Sequence, residues 1–353
     1  MDLYLHIGTE KTGTTSVQKF MELNRDLLDR HGVIYPRAPG AANHLALAGM
    51  AQDRHDGELQ SKLNISSRED LLAFRMKLAE QLAAELSANK YAKAVMSNEH
   101  CSSRLKTDEE VSFLRDFLSR FFDQIYVIVY LRRQDEFLLS TYSTQIKCGR
   151  TKRLRLPGEG VIRDRYDYWH LLSRWARVFG SKHLICRRYE RSSLVNGSII
   201  DDFLAAARLD LSLDYERPAA LNESLDADCL EFLRLMNKHV GESFRARKLV
   251  RSLEEISNGP LLGLPEDMLS SFMSQLRESN GRVAESYFGG ARAGADPLFA
   301  PRSDDRPRIT EQGLDADRLI EITATLLQSW GGAEAPERPR HRREKRLAAS
   351  GGN

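Results

Sequence analysis

Apolar and polar positions alternate in short, well-separated blocks along the chain. Residues 2–7, Asp-Leu-Tyr-Leu-His-Ile, are too short for a helix and predict a buried strand. A glycine- and threonine-rich turn follows, and then Val17, Phe20, Met21, Leu27 and Leu28 recur at helical spacing. Gly32 sits where a helix-ending glycine belongs, and Val33-Ile34-Tyr35 predicts a second strand stopped by Pro36. Residues 36–65 are polar and irregular, and suggest an insertion facing a substrate. Ser67-x-x-Asp70 and Thr107-x-x-Glu110 open two further helices in capping-box patterns.

Buried strands are expected at Ala92–Ser97, Ile125–Leu131 and His183–Arg187, the second being the clearest, rich in Val, Ile and Tyr. Helices are expected at about 135–147, 166–179 and 199–208, and only helices beyond that, at about 223–239, 265–287 and 315–330. Strands and helices that alternate in this way predict an α/β, P-loop-like three-layer fold. A central parallel sheet carries helices on both faces, and a helical C-terminal region packs on the sheet as a subdomain. One domain is expected over residues 1–335, with 210–335 as its helical part. Residues 336–353 read as a basic, disordered tail, with Arg338 to Arg346 as its charged run.

Composition narrows the function. Of the 353 residues 41% are apolar, enough for a packed core, and 29% are charged. The formal charge of +2 is too balanced for a general nucleic-acid binder, so any anion site must come from a local cluster. Cys101, Cys148, Cys186 and Cys229 lie far apart with no C-x-x-C pair, which predicts free thiols and no zinc site. The first strand leaves no room for a leader, and the longest apolar stretch falls far short of a membrane span. A cytoplasmic protein without an integral membrane segment is expected, of undetermined oligomeric state.

Chemistry gathers at residues 8–15, Gly-Thr-Glu-Lys-Thr-Gly-Thr-Thr. A turn between a strand and a helix presents unpaired backbone N–H groups to an anion. Gly8 and Gly13 allow close approach, Thr14 and Thr15 add hydroxyls, and Lys11 adds charge. The spacing Gly8-x-x-x-x-Gly13 matches the first half of a Walker A loop, but position 14 is threonine where that loop needs lysine. Magnesium-dependent phosphoryl transfer from ATP is therefore the weaker expectation. A less charged sulfuryl group can be transferred with a lysine and backbone donors and no metal.

Residues 6–15 resemble the 5′-phosphosulfate loop of PAPS-dependent sulfotransferases, of the bacterial, carbohydrate sulfotransferase-like type. That loop commonly reads Pro-Lys-Ser-Gly-Thr-Thr; here Glu10 stands for the proline and Thr12 for the serine. A second signature of the family, a strand ending in Arg and a Ser eight residues on, is similar to Val127–Arg132 followed by Ser140, although Gln134 replaces the usual proline. Tyr189 within Arg188-Tyr189-Glu190 resembles a third segment. The resemblance covers residues 2–210. It implies that Gly13, Thr14, Thr15 and Lys11 hold the 5′-phosphate, that Lys11 stabilises the leaving group, that Arg132 and Ser140 hold the 3′-phosphate, and that Tyr189 lies near the adenine. It also implies PAPS as co-substrate and inversion at sulfur.

Transfer to a hydroxyl needs a base. Glu99 comes first, as it follows a strand at the sheet's carboxyl edge, where ligands bind. His100 is second and His44 third. Arg150, Lys152, Arg153, Arg155, Arg163 and Arg165 form a basic loop, which fits an anionic or polyhydroxylated acceptor and fits a solvated surface equally well. A carbohydrate or glycolipid acceptor is the expectation. The rivals are a P-loop-type kinase using ATP and Mg²⁺ and a non-catalytic nucleotide-binding protein.

Overall fold

A computed structural model of the chain describes residues 1–87, 91–219, 224–240, 247–294, 296–302 and 306–331. The first half alternates as expected. Strand β1 (Asp2–His6) leads to α1 (Thr14–Leu23) and α2 (Arg25–Arg30), and β2 (Val33–Ile34) to α3 (Leu45–Ala51), α4 (Glu58–Lys62) and α5 (Arg68–Leu86). Then come β3 (Lys93–Ser97), α6 (His100–Arg104), α7 (Asp108–Leu118), β4 (Gln124–Leu131), α8 (Gln134–Lys147), α9 (Glu159–Arg165), α10 (Tyr168–Phe179), β5 (Leu184–Arg188) and α11 (Ile199–Ala206). Both capping boxes are formed, Ser67 with Asp70 and Thr107 with Glu110.

The five strands make one parallel sheet in the order β2-β3-β1-β4-β5. The two-residue period of β1 divides the core. Leu3 and Leu5 pack with Met96, Val127 and Val129 against residues of α3, α7 and α10, while Tyr4 faces Val17, Phe20 and Met21 of α1 and Phe203 of α11. Helices thus cover both faces, and the chain is an α/β protein with a central parallel sheet.

Several expectations need correction. Residues 36–65 are not a loop exposed to substrate: Ala46–Ala51 and Leu59 are buried in the main core, so α3 and α4 are structural. The apolar period through Leu28 breaks at Asn24, whose amide donates to the carbonyls of Phe20 and Glu216 and accepts from Glu216 N. The segment 148–165 ends in a helix, α9. The C-terminal part is not helical only. It holds α12 (Ala227–Val240), α13 (Arg247–Ile256), β6 (Leu261–Leu262), α14 (Glu266–Ser274), α15 (Arg277–Tyr287), β7 (Arg308–Ile309) and α16 (Ala316–Gly331), with β6 and β7 paired in parallel. The helix expected over 265–287 is two.

Nor does this part simply cover the sheet. Val283 and Ala284 of α15, with Leu298 and Phe299, join the main core, whereas α12, α13, α14 and α16 build a second core around Phe137, Leu138 and Tyr142 of α8. Helix α8, which follows directly on β4, gives its buried apolar residues to this second core. The basic run 338–346 lies outside the described residues.

Asp202 of α11, fully buried, ties the far edge of the sheet together. It accepts from Tyr130 Oη at 2.7 Å, Arg187 Nε at 2.9 Å and Val195 N at 3.1 Å. Removing it leaves three donors without their acceptor, one of them a cation. Asp202→Ala is expected to lower unfolding free energy by about 3 kcal/mol, measured by urea denaturation against the wild type.

Candidate functional site

Strand β1 lies between β3 and β4, where the strand order reverses direction. Open α/β sheets bind ligands at such a point, outside the carboxyl ends of the strands. The loop from Gly8 to Gly13 leaves β1 there and is pinned to β4. Thr9 donates from N (2.9 Å) and Oγ1 (3.0 Å) to the Tyr130 carbonyl, and Thr12 Oγ1 closes back on Thr9 O at 2.6 Å. Gly8, at φ 95°, has Glu99 so close that a Cβ would sit 3.0 Å from Glu99 Cβ. Gly13, at φ 76°, is the N-cap of α1, and a Cβ there would meet Ile199 at 3.2 Å and the Tyr189 hydroxyl at 3.4 Å.

Helix α1 begins without a side-chain cap and with no acidic residue in its first turn. Its first internal donors are Ser16 and Val17, so the amides of Thr14 and Thr15 point out of the helix end. Thr14 is buried and Thr15 exposed. This end of the helix favours an anion.

Two cations flank it. Lys11, itself at φ 65°, reaches Thr144 Oγ1 of α8 at 2.6 Å. Burial, and the charges of Arg132 and Lys147 nearby, push its ammonium below the usual lysine range. Arg132, at the end of β4, donates to the Lys11 carbonyl at 2.9 Å and lies over the Tyr189 ring at 5.6 Å. Residues far apart in sequence, Lys11, Gly13, Arg132 and Tyr189, thus meet at one loop. Ser140 is on α8 one turn before Thr144, whose hydroxyl bonds the Ser140 carbonyl at 3.1 Å. A cleft of about 410 Å³ opens beside Tyr189 and Ile199, walled also by Arg133, Glu136, Arg191 and Arg302.

The carboxylates sort themselves by partner. Glu99 follows β3 and accepts from Gln18 Nε2 at 2.7 Å and from Asn43 Nδ2 at 3.2 Å, which fixes it against the loop with neutral donors only. Glu10 is shared between Arg165 of α9, in direct contact, and His100 Nδ1 at 3.7 Å. Burial works to raise the Glu10 carboxyl, but His100 and Arg165 outweigh it and hold it down at about 2. The charge beside the anion site is therefore neutralised locally. Arg165, expected on a solvated or acceptor-binding loop, is half-buried and pins the Gly8–Gly13 loop to α9.

His44 does not fit the role of base. Its ring is fully buried, Nδ1 accepts from Ser97 N at 3.0 Å, and Nε2 is 2.9 Å from the Pro36 carbonyl, to which it donates in that tautomer. Burial pushes it down to about 3. Both nitrogens are spent on backbone, so His44 joins residue 36 to β3. Sequence reasoning did not single out Thr144, Glu136 and Arg302, which the structure brings beside the candidate site. Each is an ordinary surface type whose role comes only from what it faces.

Among the described residues no three His, Cys, Asp or Glu side chains gather as a metal site, and no helix is long and apolar enough to cross a membrane. The four cysteines are free.

No protein-family model matches the chain. An uncharacterized protein of Archaeoglobus fulgidus is 31% identical over 170 residues, which are 46% of this chain and 46% of that protein. The chain thus matches about half the length of this relative. A crystal structure of a sulfotransferase from Alicyclobacillus acidocaldarius is similar at 15% identity and a TM-score of 0.38, over 70% of this chain and 95% of that one.

The Glu10 pairing has a pH signature. A carboxyl held below its ordinary 4.5 stabilises the fold fully above that value and loses the contribution as pH falls toward about 2. The stability difference between wild type and Glu10→Gln, from urea melts, is expected to be constant from pH 7 to 5 and to shrink from pH 4.5 downward. A difference that grows with acid contradicts the pairing.

Proposed function

We propose that this protein is a sulfotransferase that takes PAPS as donor and moves its sulfuryl group to an acceptor hydroxyl. The observation that carries the proposal is the convergence of Lys11, the open N-terminus of α1 and Arg132 on one short loop at the sheet's switch point. The amides and hydroxyls of Thr14 and Thr15 bind the 5′-phosphate. Arg132 and Ser140 take the 3′-phosphate, and Tyr189 lies beside the base. The residues present fit a doubly phosphorylated nucleotide, because the helix end carries no acid and is flanked by Lys11 and Arg132.

The reaction assigns one task to each side. The acceptor oxygen forms a bond to sulfur as the bond from sulfur to the bridging oxygen breaks, and the negative charge that passes to the 5′-phosphate oxygen is met by the Lys11 ammonium. Lys11 starts from the Thr144 hydroxyl, a neutral partner it can leave at small cost. The acceptor's proton goes to Glu99, oriented by Gln18 and Asn43, with His100 as the second candidate. A carbohydrate or glycolipid hydroxyl is the proposed acceptor class.

In thermal-shift measurements 3′,5′-ADP is expected to stabilise the protein, ATP with Mg²⁺ to do much less, and Arg132→Ala to abolish the 3′,5′-ADP effect. Preference for ATP with Mg²⁺ would sink the proposal in favour of a kinase. With labelled PAPS and a panel of glycan acceptors, Lys11→Ala is expected to reduce kcat by about 10²–10³-fold, the usual loss when one charge-stabilising donor is removed. Tight binding of 3′,5′-ADP with no turnover of PAPS would point to a non-catalytic nucleotide-binding protein.

A further inference from the structure

The cleft beside the phosphate loop already contains an anion of its own. Glu136, one turn into α8, lines it between two guanidinium groups. Its Oε2 is 3.4 Å from Arg132 Nε and its Oε1 is 3.7 Å from Arg302 Nε. Both separations are longer than a well-formed charged hydrogen bond, and all three side chains keep about a fifth of their surface in solvent, between 20% and 23%. The carboxylate is therefore held loosely, by charge more than by geometry.

Its neighbours do not depend on it. Arg302 is also paired with Asp135, which is fully buried and whose other oxygen forms an ion pair with Arg133, 3.1 Å from its Nε. The segment that carries Arg302 is fixed separately. Glu190 accepts from Ala300 N at 2.6 Å and from Arg292 at 2.9 Å, and Asp296 accepts from Leu298 N at 2.8 Å. Arg132 is held by the Lys11 carbonyl and Tyr189. Both arginines thus have partners besides Glu136, and Glu136 and Arg302 themselves line the cleft.

We propose that Glu136 is an internal counter-ion that competes with the second phosphate of a nucleoside 3′,5′-bisphosphate for Arg132 and Arg302, and so limits how tightly that nucleotide is kept. The inference rests on the assignment above of a 3′-phosphorylated nucleotide to this site. A phosphate dianion must displace the carboxylate to reach both guanidiniums. A nucleotide with a free 3′-hydroxyl leaves the two ion pairs as they are. The tethered carboxylate returns when the bisphosphate leaves, which favours release of the spent donor. An ion pair this open to solvent contributes about 1 kcal/mol, so its competition amounts to about a fivefold change in affinity.

Isothermal titration of 3′,5′-ADP and of 5′-AMP into wild type, Glu136→Gln and Glu136→Asp tests this. Glutamine keeps the shape and removes the charge. The expected result is about fivefold tighter binding of 3′,5′-ADP by Glu136→Gln, 5′-AMP affinity within about twofold of wild type, and wild-type 3′,5′-ADP affinity restored in Glu136→Asp. Unchanged or weaker 3′,5′-ADP binding by Glu136→Gln, with wild type binding it well, overturns the inference alone and makes Glu136 a support for Arg132. Equal tightening of both nucleotides overturns it too, because the carboxylate then acts on the 5′-phosphate or on the field as a whole. Failure of the wild type to bind 3′,5′-ADP removes the functional assignment, and the inference with it.

Discussion

The site depends on the tether between one loop and one neighbouring strand. Both the amide and the hydroxyl of Thr9 bond the Tyr130 carbonyl, and this holds the turn after β1 to the end of β4. Strand β4 ends at Leu131, and Arg132, the next residue, donates its guanidinium to the Lys11 carbonyl. The tether also fixes the open N-terminus of α1 and Arg132 relative to each other. The strands all run parallel, and the reversal of their winding order at β1 places a crevice above its carboxyl end.

Charge compensation around that loop is divided by direction. On one side Glu10 is absorbed by Arg165 and His100; on the other Asp135 and Glu136 meet Arg133, Arg132 and Arg302. Lys11 by contrast rests on a neutral partner, the Thr144 hydroxyl. That asymmetry matters because a cation already satisfied by a carboxylate has little attraction left for a ligand, whereas one resting on a hydroxyl keeps most of it. Helix α8 carries Glu136, Ser140 and Thr144 on successive turns and is gripped from behind by the second core, so the C-terminal helices buttress the cleft.

Local rules read the fold well where they act alone. The two-residue period of β1, the apolar run of β4 and the two capping boxes specify their elements from neighbouring residues only, and each forms as expected. The rules fail where a distant partner intervenes. Asn24 interrupts an unbroken apolar period because its side chain bonds Glu216, 192 positions away. Residues 36–65 look irregular, yet α3 packs under the sheet, where small alanines suffice to fill the space.

The sequence by itself determined the α/β layering, the loop with its lysine three residues ahead of the Walker position, and a second strand followed directly by arginine. These are short-range patterns of period and spacing, and the chain states them directly. Only the tertiary structure decided which polar side chains belong to the site. It withdrew His44, whose nitrogens are spent on backbone, and it supplied a partner for Glu10 from 155 residues away. It also set Glu136 between two arginines, one of them from the far end of the chain. A charged side chain takes its role from what faces it, and what faces it is fixed by packing between segments that no local pattern connects.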